Sequence, residues 1–86
     1  MAGYSLFFKE SVRKDFDAIP KIDLQRIMER IASLADNPRP PGSEKLSGQE
    51  KYRIRQGNYR IIYAIEEDRL IVMIVKIGHR REVYRS

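Results

Sequence analysis

KYRIRQGNYRIIY, residues 51–63, divides into two β-strands about a turn. Tyr52-Arg53-Ile54-Arg55 alternates polar and apolar residues, the period of a strand with one wet face. Tyr59 to Ile65 is a second run, rich in β-branched and aromatic residues. Gly57-Asn58 between them supplies a tight two-residue turn with glycine at its first central position. That turn fixes the register. Gln56 faces Tyr59, Arg55 faces Arg60, Ile54 faces Ile61, Arg53 faces Ile62, and Tyr52 faces Tyr63. Tyr52, Ile54, Ile61 and Tyr63 then share the core face, and Arg53, Arg55 and Arg60 share the other. A three-residue loop over Gln56-Gly57-Asn58 would slip one strand and break this grouping.

Like charges facing each other across strands oppose stability. Arginines gathered on one sheet face therefore point to an anion. Arginine suits phosphate, because its planar fork donates bidentately and stays charged. The plainer reading of Arg60 is a solvated strand residue, but Ile62 on the same face shows that the face is not simply wet. For Arg53 and Arg55, phosphate positioning without catalysis is an equal explanation.

The 86 residues make one domain, 1–86, large enough for a single core. Hydrophobic content of 42% argues against disorder. The absence of cysteine removes disulfides and Cys-based zinc sites and fits a reducing cytosol, so a cytoplasmic protein is expected. MAGYSLFFKES lacks the pattern of a signal peptide. The longest apolar run, Leu70 to Val75, is six residues, too short to span a bilayer. Net charge is +5 and the pI about 9.7, the range of polyanion binders. Residues 1–43 carry seven basic and six acidic side chains; residues 44–86 carry ten and six. The excess is focused on the predicted sheet, which favours a polyanion partner over a basic surface that only keeps the protein in solution.

Outward from the hairpin, Tyr4 to Phe8 reads as a short strand. Lys9 to Ala18 reads as a helix, with Val12, Phe16 and Ile19 on one stripe. Pro20 suits the first position of a second helix. Leu24, Ile27, Met28, Ile31, Leu34 and Ala35 carry that helix to about Asp36, where Asn37-Pro38 ends it. Residues 37–50, NPRPPGSEKLSGQE, form a long loop of the kind that is often functional, though a plain connector is the simpler view. Leu46 is expected to tuck into the core. Glu44 and Glu50 could serve as a base, but a solvated role is plainer. Glu66-Glu67-Asp68 turns the chain into a last strand, Leu70 to Ile77, ended by Gly78. The third and last strands are apolar on both faces and so belong in the middle of the sheet. The architecture is α+β, in the order β-α-α-β-β-β. A two-helix hairpin packs on one face of a small, mostly antiparallel twisted sheet, and the other face is left open to a partner.

The order of elements, Lys45-Leu46-Ser47-Gly48, Tyr52-Arg53-Ile54-Arg55, Asn58-Tyr59-Arg60-Ile61-Ile62-Tyr63 and the ending Gly78-His79-Arg80-Arg81-Glu82-Val83-Tyr84-Arg85 resemble the RelE/ParE superfamily of bacterial toxins, RelE branch. The resemblance spans essentially the whole chain, and the hairpin and tail are its specific parts. It implies the toxin of a toxin–antitoxin pair that cleaves messenger RNA in the A site of a translating ribosome. The 2′-hydroxyl attacks the adjacent phosphate, with no metal or other cofactor. The implied partners are mRNA, the ribosome and a small acidic antitoxin from the adjacent gene. Operator DNA is bound only through that antitoxin, and no membrane is involved. The matching site positions are Arg53 and Arg55, Arg60, Arg80 and Tyr84. Two departures stand out. The first-strand positions are lysines in the best-known member. The tail is also shorter between arginine and tyrosine, so Arg81 competes with Arg80. Lys45 and Lys51 join Arg53, Arg55 and Arg81 as candidate RNA or phosphate contacts.

Such cleavage needs a group to take the 2′ proton, cations to stabilise the phosphorane, and an acid for the leaving 5′-oxygen. Arg60 with Arg53 or Arg55 suits the second task. Arginine does not readily exchange a proton near neutral pH. That leaves His79, with its intrinsic pKa near 6.5, or Tyr84 for the proton transfers. Tyr84 can also stack on a base. The bland alternatives are a turn histidine and a tyrosine that caps the core. The rival function is a ParE-like inhibitor of DNA gyrase that cleaves nothing; that branch commonly lacks the basic-plus-tyrosine set. A third is a nucleic-acid-binding module whose arginines only contact phosphates.

Overall fold

A computed structural model describes residues 3–46, 48 and 50–79. The elements are β1 (Ser5–Phe8), α1 (Glu10–Asp17), α2 (Lys21–Ser33), β2 (Glu44–Lys45), β3 (Lys51–Gln56), β4 (Tyr59–Glu66) and β5 (Ile71–His79). One sheet holds all five strands in the order β1-β5-β4-β3-β2. β1 runs parallel to β5, and every other pair is antiparallel. The two long apolar strands, β4 and β5, lie in the interior of the sheet, as their two-sided patterns require.

The β3–β4 hairpin has the expected register, from Gln56 opposite Tyr59 to Tyr52 opposite Tyr63. Gly57 takes a φ of +60°. Among the described non-glycine residues only Leu70 has a positive φ, so Asn58 keeps a negative one. This is the turn with glycine first, whose twist matches the flanking strands.

Between β4 and β5 the register shifts. Ile62 faces Lys76 while Tyr63 faces Ile74, leaving Val75 as an extra residue. This bulge lets Ile74 and Ile77, three apart, both point into the core. α1 lies against β5 and α2 against β3. Val12, Ile27, Ile31 and Leu34 from the helical layer meet Ile54, Ile61, Tyr63, Val72, Ile74 and Ile77 from the sheet. Phe8 and Phe16 pack edge to face at 6.0 Å. Beyond the end of β1, α1 holds β5 with a side chain. Asp15 Oδ2 accepts from the Ile77 amide at 3.2 Å, and Oδ1 accepts from Lys76 Nζ at 3.5 Å.

Five local expectations are corrected. Gly78 does not end the last strand; it lies within β5 opposite Arg60, and pairing continues to His79 opposite Tyr59. The amide and carbonyl of Arg60 point to β5 and need ladder partners there, which Gly78 supplies. Leu70 precedes that strand, in the turn, with a φ of 52°. The long loop contains β2, which covers the outer edge of β3 that would otherwise stay unpaired. Leu46 sits half-buried at this edge rather than in the core, its amide donating to the Lys51 carbonyl at 2.8 Å. Pro20 caps α2 instead of opening it, since its ψ is 145° and its carbonyl accepts the Leu24 amide at 2.9 Å.

The front of the long loop is fastened to the sheet. Tyr63 is fully buried, and its hydroxyl donates to the Pro38 carbonyl at 2.6 Å. Arg39 lies over the Tyr52 ring at 5.2 Å, donates to its hydroxyl at 3.1 Å, and pairs with Glu67 at 2.6 Å. Tyr4 donates to the same carboxylate at 2.7 Å. The Tyr4 and Arg39 hydrogen bonds hold the Glu67 carboxyl below its usual range. Burial pushes the Tyr63 phenol from 10.0 up to about 12. The unfolded chain therefore releases this proton first. The stability tied to it is complete below pH 10 and is lost as pH rises to about 12, by roughly 2–3 kcal/mol. Tyr63→Phe is expected to be about 1 kcal/mol less stable at neutral pH. It should also lose less stability than the wild type between about pH 9 and pH 11. Urea midpoints of both proteins at the two pH values check this.

Candidate functional site

The helices cover the sheet face that bears Ile54 and Ile61. On the opposite face, Lys51, Arg53 and Arg55 follow one another along β3 at the strand period of two. Arg60 of β4 stands directly across from Arg55 and diagonally from Arg53. Its neighbour on the other side is Gly78, which places no side chain beside it. Arg60 is only 4% exposed and is held by contacts within the chain. Arginine is almost never buried this far unless its charge is paired. Arg55 is exposed and Arg53 half-buried, so the group grades from an enclosed cation to an open one. Guanidiniums fixed around one point can hold a phosphate and stabilise added negative charge on it without reorganising.

The remaining candidates are placed differently. Lys51 shares the face of Arg53 and is half-buried. Lys45 is paired in register with Tyr52, on the helical side, and lies 3.6 Å from Glu50. It does not join the arginine group. His79 shares the side of its partner Tyr59, its ring packing edge to face on the tyrosine at 5.8 Å. Both line a cleft of about 220 Å³ with Asp15, Ala18 and Ile19, beneath α1. The histidine is thus on the other side of the sheet from Arg53, Arg55 and Arg60. Arg80, Arg81 and Tyr84 lie outside the described residues.

One contact escapes sequence reasoning. Glu44 faces Arg53 across β2 and β3, and the arginine donates to its carboxylate at 2.5 Å. A two-residue strand inside a Pro- and Gly-rich segment has no periodicity to reveal it. Among the described residues, no three His, Cys, Asp or Glu side chains come together as a metal site. No helix is long and apolar enough to cross a membrane among them.

The chain and its fold are similar to those of known proteins. The family model described as "ParE toxin of type II toxin-antitoxin system, parDE" matches residues 6–84. Toxin RelG of Mycobacterium tuberculosis is 28% identical over 86 residues, covering 95% of this chain and 97% of that protein. The mRNA interferase toxin RelE of Escherichia coli K12 is 24% identical over 87 residues, covering 95% and 90%. The crystal structure of the archaeal RelE–RelB complex from Pyrococcus horikoshii superposes with a TM-score of 0.81 at 28% identity, covering 91% of this chain and 96% of that one. Sequence, fold and the arginine hairpin together place the chain in the RelE/ParE toxin family of type II toxin–antitoxin systems, among its RelE-like members.

Proposed function

We propose that this toxin is a ribosome-dependent endoribonuclease that cleaves mRNA in the A site without a metal. The observation that carries the reading is Arg60, a nearly buried cation on the sheet face away from the helices, directly across from Arg55. The 2′-oxygen attacks phosphorus and the bond to the 5′-oxygen breaks. The products are a 2′,3′-cyclic phosphate and a free 5′-hydroxyl. Arg60 and Arg55 stabilise the phosphorane, and Arg53 and Lys51 position the flanking backbone. Arg80 or Arg81 adds a further cation. The placement of His79 beneath α1, away from the arginines, supports giving proton transfer to Tyr84. An 86-residue chain has little surface to hold a flexible RNA, so the ribosome presents the codon. A RelB-like antitoxin, expected to be small and acidic, covers the arginine face.

The test is a defined mRNA incubated with the toxin, with and without programmed ribosomes. Cuts are expected only with ribosomes. Tyr84→Phe should slow them by about 10²-fold, whereas His79→Ala should stay within about threefold of the wild type. The match to the ParE family description favours one second reading, inhibition of DNA gyrase. Growth arrest with no RNA cuts would select it.

A further inference from the structure

The arginine face also carries an acid. Arg53 Nη2 donates to Glu44 Oε2 across the β2–β3 pair. The pair is lopsided: the Arg53 side chain is 16% exposed and that of Glu44 60%. The arginine is enclosed, and the carboxylate lies toward solvent, from which a nucleic acid would arrive. Carboxylate and phosphate offer similar oxygens to a guanidinium fork. A phosphate approaching Arg53 thus meets an anion already seated. Water screens the exposed Glu44 half of the pair, so the carboxylate can be displaced. Glu50, in the same segment, differs. It pairs with Lys45, which is in register with Tyr52 on the helical side.

We propose that Glu44 is an internal competitor of the RNA phosphate at Arg53 and sets the affinity of the arginine face for RNA. This rests on the reading of that face as an RNA site. Glu44 lowers the net positive charge met by the backbone and must yield Arg53 before a phosphate can take it. The opposite role, a carboxylate that orients Arg53 for RNA, predicts the opposite sign.

The experiment measures binding of a fluorescein-labelled single-stranded RNA oligonucleotide to the purified full chain by anisotropy, over a salt series. Glu44→Gln is expected to bind about five- to tenfold tighter at low salt, with the log–log salt slope steeper by about 0.7, one further phosphate contact. Glu44→Ala should tighten binding too, which an orienting role forbids. Glu50→Gln makes the same change in net charge and should shift affinity by less than about twofold with no change in slope. Equal or weaker binding by Glu44→Gln, or a Glu50→Gln effect as large, overturns the proposal. If the wild type binds and cleaves RNA but Glu44→Gln does not tighten, only the role of Glu44 falls. If neither protein binds RNA, the role of Glu44 falls, and the nuclease reading is decided separately by cleavage on programmed ribosomes.

Discussion

Arg60→Ala is expected to fold and to lose mRNA cleavage by about 10²–10³-fold, the usual consequence of deleting one group aimed at developing charge. The loss should fall on kcat rather than KM, because the ribosome, not Arg60, holds the codon in place. Folding should survive. The residue lies on the sheet face away from the helices; losing the contacts that hold it costs stability, offset in part by less repulsion with Arg55 directly across the strands. Arg60→Lys separates charge from shape. It keeps the cation but loses the bidentate fork, so it should recover part of the rate. Single-turnover cleavage on programmed ribosomes, with urea midpoints for each variant, checks both statements. A rate loss that merely tracked a loss of stability would make Arg60 a structural residue.

The second large effect concerns stability. Ile61 is fully buried, with Ile54 facing it from β3 and Ile77 from β5. It is the point where both interior ladders meet the helical layer. Ile61→Ala should cost about 2–5 kcal/mol, the range for truncating a buried aliphatic side chain and leaving a cavity. That is a large share of the roughly 5–15 kcal/mol that holds a typical domain together. Ile61→Val should cost only about 0.5–1.5 kcal/mol. Urea unfolding followed by far-ultraviolet circular dichroism measures both. Because Ile61 is adjacent to Arg60, Ile61→Val also probes positioning. If strand register alone places the guanidinium, cleavage by Ile61→Val should remain within about threefold of the wild type.

The hairpin could be read from sequence because a two-residue turn at Gly57-Asn58, the one the structure adopts, sets one register, and the alternation of Tyr52 to Arg55 assigns the faces. The helix ends were legible to within a few residues, since Asn37-Pro38 and Ala18 to Pro20 interrupt the apolar stripes. The bulge at Val75 was not. Leu70 to Val75 is apolar on both faces, so a one-residue offset leaves the pattern unchanged. Gly78 was misjudged because glycine after an apolar run usually signals a turn; here the demand of the Arg60 backbone for ladder partners outweighs it. The same offset hides the side to which His79 belongs, because its parity depends on the bulge and on the strand passing Gly78. Of the site, Arg53, Arg55 and Arg60 were legible as one group. Their unequal burial was not; for Arg53 it depends on Glu44 of β2, a strand too short to show a period.

The account depends on the arginine hairpin being a site of RNA cleavage. The most direct test is end analysis of a defined mRNA on programmed ribosomes, treated with the wild type or with Arg60→Ala. Cuts inside codons that carry 2′,3′-cyclic phosphate and 5′-hydroxyl ends, and that fade in Arg60→Ala, are the predicted result. No cuts by the wild type, or undiminished cuts by Arg60→Ala, would contradict it.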